Sequence, residues 1–64
     1  MGKIRRGGYV FITWAGDHAP RHVHVFKDGK EVLKWNLEGQ AEIEGKATKK
    51  IKKLIAELFS EGQL

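Results

Sequence analysis

One stretch of this chain has helical periodicity, and it comes last. Ile51, Leu54, Ile55, Leu58 and Phe59 recur at i, i+3, i+4, i+7 and i+8, so an α-helix gathers them into one apolar stripe. Thr48 suits the N-cap, because its hydroxyl can accept from an early backbone N–H, and Gly62 stands where helices commonly stop. Residues ahead of this stretch read as strands and turns. One helix must therefore cover one face of whatever sheet those strands build, and no second helix is available for the other face.

Tyr9 to Trp14 is β-branched and aromatic between Gly7-Gly8 and Gly16-Asp17, and is expected as a strand. His22 to Phe26 alternates polar and apolar with period two. Asp28-Gly29 then reads as a two-residue hairpin turn, since glycine accepts the positive φ of a type I′ turn. The return strand runs from Glu31 to Leu37, with Leu33, Trp35 and Leu37 on one side and Val32, Lys34 and Asn36 on the other. Glu42-Ile43-Glu44 is a candidate fourth, edge strand. The expected fold is α+β, a small antiparallel sheet of three strands, or four with that edge, packed on one C-terminal helix. Residues 1–64 are read as a single domain, with 1–7 a candidate flexible N-terminus. The helix stripe should meet Val23, Val25, Leu33, Trp35 and Leu37. Period two then places His22, His24 and Phe26 on the opposite face, with Tyr9 and Phe11 as candidate neighbours there.

A chain of 64 residues buries only about 60% of the surface its unfolded form exposes, so its core is thin. The absence of cysteine excludes disulfides and thiolate zinc sites, which leaves packing, a partner chain or a histidine-held metal. No run is apolar enough for a membrane span, and Met1 to Arg6 has no apolar stretch of signal-peptide length. The expectation is a cytoplasmic protein without membrane contact. A net charge of +4 suits an anionic partner. Basic residues concentrate before Glu31 and after Gly45, flanking an acidic middle of Glu31, Glu38, Glu42 and Glu44. A nucleic-acid binder needs those two basic regions on one side of the fold.

Residues 17–25 read Asp-His-Ala-Pro-Arg-His-Val-His-Val and hold all three histidines, His18, His22 and His24. Pro20 stiffens the approach to the strand and biases Ala19 to an extended conformation. Two imidazoles two residues apart on a strand share a face, and a loop histidine can close on the same point. Three chemistries fit this pattern. His18, His22 and His24 could serve acid–base catalysis on a phosphodiester, with Arg21 holding the phosphate. They could instead ligate zinc with an open fourth position, Asp17 accepting behind one imidazole. They could also contact bases or a protein partner without catalysis. The plainest alternative is an exposed sheet face that happens to carry histidines.

Lys46, Lys49, Lys50, Lys52 and Lys53 crowd the helix start, while Glu57 and Glu61 lie at its end. This order opposes the helix dipole, which favours the reverse by about 0.3–1 kcal/mol per charge near an end. Local helix stability does not explain it. A helix N-terminus ringed by amines is a phosphate site, so Lys46, Lys49, Lys50 and Lys53 join Arg21 as candidate phosphate-binding residues. A solvated lysine face is the competing reading.

The run from Asp17 to Val25, with Lys27-Asp28-Gly29, Leu37-Glu38 and Glu44-Gly45-Lys46, resembles the bacterial and archaeal domain of unknown function 4160, whose hallmark is H-x-P-x-H-x-H-V after an aromatic strand. The resemblance spans about Tyr9 to Leu64 and implies a small α+β domain with His18, Pro20, His22 and His24 as signature positions. It also implies a setting in which such proteins are encoded beside another small protein, as suspected toxin–antitoxin components. Arg21 departs from the second proline many relatives carry there. The leading expectation is a small basic protein of toxin–antitoxin type that engages RNA, with histidine-dependent cleavage as its chemistry. The alternative is a non-catalytic metal-binding or protein-interaction module built on the three histidines.

Overall fold

The computed structural model describes residues 2–14 and 21–64. Five strands and one helix follow in order: β1 (Gly2–Arg6), β2 (Tyr9–Thr13), β3 (His22–Lys27), β4 (Lys30–Asn36), β5 (Ala41–Gly45) and α1 (Lys49–Ser60). The strands form one antiparallel meander in sequence order, β1-β2-β3-β4-β5. Among the described residues no helix is long and apolar enough to cross a membrane.

The fold class is the expected α+β, but the sheet has five strands rather than three or four. The candidate edge at Glu42–Glu44 is β5. The additional strand is β1, which corrects the expectation that residues 1–7 form a flexible N-terminus. Gly7-Gly8 turns the chain so that Ile4 lies opposite Phe11 and packs against the core. Ile4 is the lone apolar side chain among Lys3, Arg5 and Arg6, too sparse an alternation to read as a strand.

The core lies between one face of the sheet and α1. Phe11, Val23, Val25, Leu33, Trp35 and Leu37 meet Ile51, Leu54, Ile55 and Leu58 there, all of them buried. Three placements differ from the expectation. Phe59, at the margin of the stripe, stays 48% exposed. Phe11 belongs to the core, because it pairs with Val25, and Tyr9, of the same parity, packs against that core. It is Val10 and Ile12 that lie opposite Phe26 and His24. Directly opposed residues in an antiparallel pair share a face. Strand alternation alone leaves that register open.

Both ends of α1 are closed by the residues the sequence offers. The Thr48 hydroxyl accepts from the Ile51 N–H at 3.2 Å. At the other end the Gly62 N–H donates to Phe59 O and the Gln63 N–H to Leu58 O, the paired bonds of a Schellman cap. The acids of the last turn face a cation from another element: Arg6 donates to both carboxylate oxygens of Glu61, at 2.7 and 2.9 Å, with Glu57 3.9 Å away. The fork from Arg6, reinforced by Gln63, holds the Glu61 carboxyl below its usual range. Half of the reversed helix polarity thus has a structural origin, since Glu57 and Glu61 tie α1 to β1.

Candidate functional site: the histidine face of the sheet

The sheet face away from α1 draws on all five strands. β3 supplies His22, His24 and Phe26, all half-buried, while Val23 and Val25 between them enter the core. β2 supplies Val10 and Ile12, and Trp14 just beyond its end stands 45% exposed. β1 adds Lys3 and Arg5, both exposed, opposite Ile12 and Val10. On the far side β4 and β5 contribute Glu31, Lys34 and Glu44, with the Lys34 ammonium 4.0 Å from the Glu44 carboxylate.

At the centre of this face the two imidazoles of β3 touch, their ring centroids 4.9 Å apart. The Trp14 indole meets the His24 ring edge-on at 6.1 Å. His24 Nδ1 is hydrogen-bonded to Glu31 Oε2 on the neighbouring strand. The His24 side chain is 15% exposed against 37% for Glu31, so the bond is largely shielded on the imidazole side. A carboxylate on Nδ1 fixes ring orientation and leaves Nε2 as the nitrogen that can exchange a proton or donate to a metal.

Glu31 reaches this face because of an irregularity in β4. The Asp28-Gly29 turn, with φ of 52° and 78°, places Lys27 opposite Lys30 and Phe26 opposite Glu31. Continued evenly, that register would pair Val25 with Val32. Instead Val25 pairs with Leu33, and Val32 is the extra residue of a β-bulge. Both Val32 and Leu33 then pack toward the core, and Glu31 emerges on the opposite face beside His24. Without the bulge Glu31 would share the parity of Leu33, Trp35 and Leu37. Strand alternation alone therefore does not place Glu31 beside His24.

Gly45 makes the bulge possible. It lies opposite Leu33 at φ +82°, where a Cβ would sit 2.3 Å from the Val32 carbonyl oxygen. Glycine is the residue that permits so close a backbone approach.

The predicted site residues are therefore only partly assembled. His22 and His24 come together. His18, Asp17 and Pro20 lie outside the described residues. Arg21 is exposed just ahead of β3, its N–H donating to the Glu38 carboxylate and its carbonyl accepting from Leu37. Lys49, Lys50 and Lys53 are on α1, which packs against the other face of the sheet, and Lys46 precedes that helix. The helix lysines do not share a surface with the histidines. Lys50 instead stands 5.6 Å from the Tyr9 ring, which Lys27 also approaches at 5.4 Å. The cations that do flank the histidine face are Lys3 and Arg5, within the stretch expected to be a flexible terminus. Among the described residues no three histidine, aspartate or glutamate side chains cluster as metal ligands.

The fold and this site define a small α+β domain, a five-stranded meander with one helix behind and a carboxylate-held histidine in front. Compared with known families, the chain belongs to the domain of unknown function family DUF4160, whose profile matches residues 7–63. Neither the curated proteins nor the solved structures gave a match.

Proposed function

We propose that this protein engages RNA on its histidine face and cleaves it, with His24 and Glu31 as the acid–base pair. The observation that carries this reading is the bond from His24 Nδ1 to Glu31 with a second imidazole in contact. A carboxylate so placed holds the tautomer in which Nε2 accepts a proton, and it stabilises the imidazolium that results. His22, 4.9 Å away, can address a different oxygen of the same phosphodiester.

In the reaction His24 Nε2 takes the proton of a ribose 2′-hydroxyl as its oxygen bonds to the adjacent phosphorus. The bond from phosphorus to the 5′ oxygen breaks, and that oxygen leaves with a proton from His22. The products are a 2′,3′-cyclic phosphate and a 5′-hydroxyl end. Induced growth arrest relieved by a co-encoded small protein would match the toxin–antitoxin setting that the family resemblance suggests.

The test is incubation of RNA with the wild-type protein, His24→Ala and Glu31→Gln, followed by analysis of the ends. The reading expects cyclic-phosphate ends from the wild type and a loss of roughly 10²–10⁴-fold in His24→Ala. Equal cleavage by His24→Ala, or none by the wild type, rejects the catalytic reading. The same carboxylate behind an imidazole also suits a zinc ligand, with His22 and His18 as companions. Zinc that leaves the His22 and His24 imidazole resonances in place removes that second reading.

A further inference from the structure

We infer that the histidine face takes single-stranded rather than double-stranded RNA, with phosphates along Lys3 and Arg5 and a base stacked on Trp14. The inference rests on the RNA reading above and adds the form of the substrate and the residues that hold it.

The charge on this face is one-sided. Lys3 and Arg5 stand exposed on the edge strand β1, on the same face as Ile12 and Val10. Two residues apart on an antiparallel strand, they are separated by about 6.8 Å along β1, a span comparable to successive phosphates of an extended strand. The opposite rim carries Glu31 and Glu44, and its cation, Lys34, is paired with Glu44. The face thus offers one track for a phosphate backbone and repels a second. A duplex brings two backbones, and the one laid over β4 and β5 would meet carboxylates.

The chemistry between the rims suits unstacked bases. Trp14 is 45% exposed and edge-on to His24, with half-buried Ile12, Val10 and Phe26 around them. At about 4.8 Å per strand, β3 lies roughly 10 Å from β1, so a nucleotide anchored on β1 can lay its base over β2 and β3. Bases inside a duplex are stacked on one another and cannot be spread on a sheet, whereas single strands stack on aromatic side chains irrespective of sequence. The ribose then passes over the His22–His24 pair. Neither Arg21 nor the helix lysines is needed for this path.

The experiment uses the full chain and a labelled oligouridylate carrying 2′-O-methyl groups to prevent cleavage. It is compared with a duplex of mixed sequence and equal length, with affinity read by fluorescence anisotropy and folding checked by circular dichroism. Single strands should bind more tightly than the duplex. Trp14→Ala should weaken binding by about 5- to 150-fold, the range for loss of one stacked base. Lys3→Ser/Arg5→Ser should lower the slope of log K against log salt by about 1.4, two phosphate contacts on a single strand. Lys49→Ser/Lys53→Ser should leave both affinity and slope nearly as in the wild type. Loss of binding in the helix variant with none in Lys3→Ser/Arg5→Ser overturns this inference and moves the RNA contact off the histidine face. Equal affinity for the duplex overturns the single-strand assignment. No RNA binding by the wild type removes the RNA reading itself.

Discussion

Gly45→Ala places the heaviest demand on the smallest change in this chain. The added Cβ would lie 2.3 Å from the Val32 carbonyl oxygen and 3.1 Å from the Leu33 Cα, at a φ of +82°. The left-handed backbone alone costs an alanine about 1–2 kcal/mol. The contact is with backbone, which cannot rotate aside as a side chain would, and overpacking of this kind adds about 1–3 kcal/mol. The sum, about 2–5 kcal/mol, compares with a total of about 3–10 kcal/mol for a domain of this length. Gly29→Ala is the control: its φ is +78°, and nothing lies within 4 Å of the added carbon, so it pays the backbone term alone. With a urea dependence of about 1 kcal/mol per M, the midpoint of Gly45→Ala should fall roughly twice as far as that of Gly29→Ala. Because Gly45 abuts the bulge that aims Glu31, the His24 imidazole resonances should also move in Gly45→Ala and stay in Gly29→Ala. Equal midpoints for the two variants would refute the close-approach argument.

Three further outcomes follow from the packing and the ion pairs. Leu58 is fully buried, and Leu58→Ala should cost about 2–5 kcal/mol, leaving much of the protein unfolded at 37 °C in thermal melts. Glu61 is held below its usual range by Arg6, so its contribution is present above the ordinary carboxylate pKa and disappears as pH falls through the lower folded-state value. The stability gap between wild type and Arg6→Gln should accordingly be open at pH 7, close below about pH 4, and shrink in high salt, since the pair is exposed. Glu31→Gln, which keeps the shape but removes the charge, should leave the urea midpoint little changed while altering the line positions of His24 in NMR spectra.

Much of this architecture is legible in the sequence. The helix, its caps, the Asp28-Gly29 turn and the two-faced β3 all follow from short-range pattern, where spacing and turn chemistry act within a few residues. β1 was not legible, because a strand with one apolar residue is held by its partner rather than by its own alternation. Glu31 is the instructive case. A two-residue turn at Asp28-Gly29 demands that Val25 face Val32, while the alternation of Leu33, Trp35 and Leu37 demands the opposite parity. The two signals conflict, and an extra residue between them is what reconciles them. That conflict was present in the sequence, and following it through would have moved Glu31 to the histidine face. The placement of the helix lysines was illegible for a different reason: charge runs show what a surface carries but not which side of the sheet it faces. Glu57 and Glu61 find their partner 51 and 55 residues away in Arg6, a distance over which sequence pattern carries no information.

The central claim is that RNA meets the face carrying His22 and His24, not the helix behind it. The most direct test is an NMR titration of the labelled protein with a short, uncleavable single-stranded RNA, following imidazole nitrogens and backbone amides together. The account predicts that the His22 and His24 rings, the Trp14 indole N–H and the amides of β1 shift together while those of Lys49 to Lys53 hold their positions. Shifts confined to the amides of α1, with both imidazoles unmoved, would contradict it.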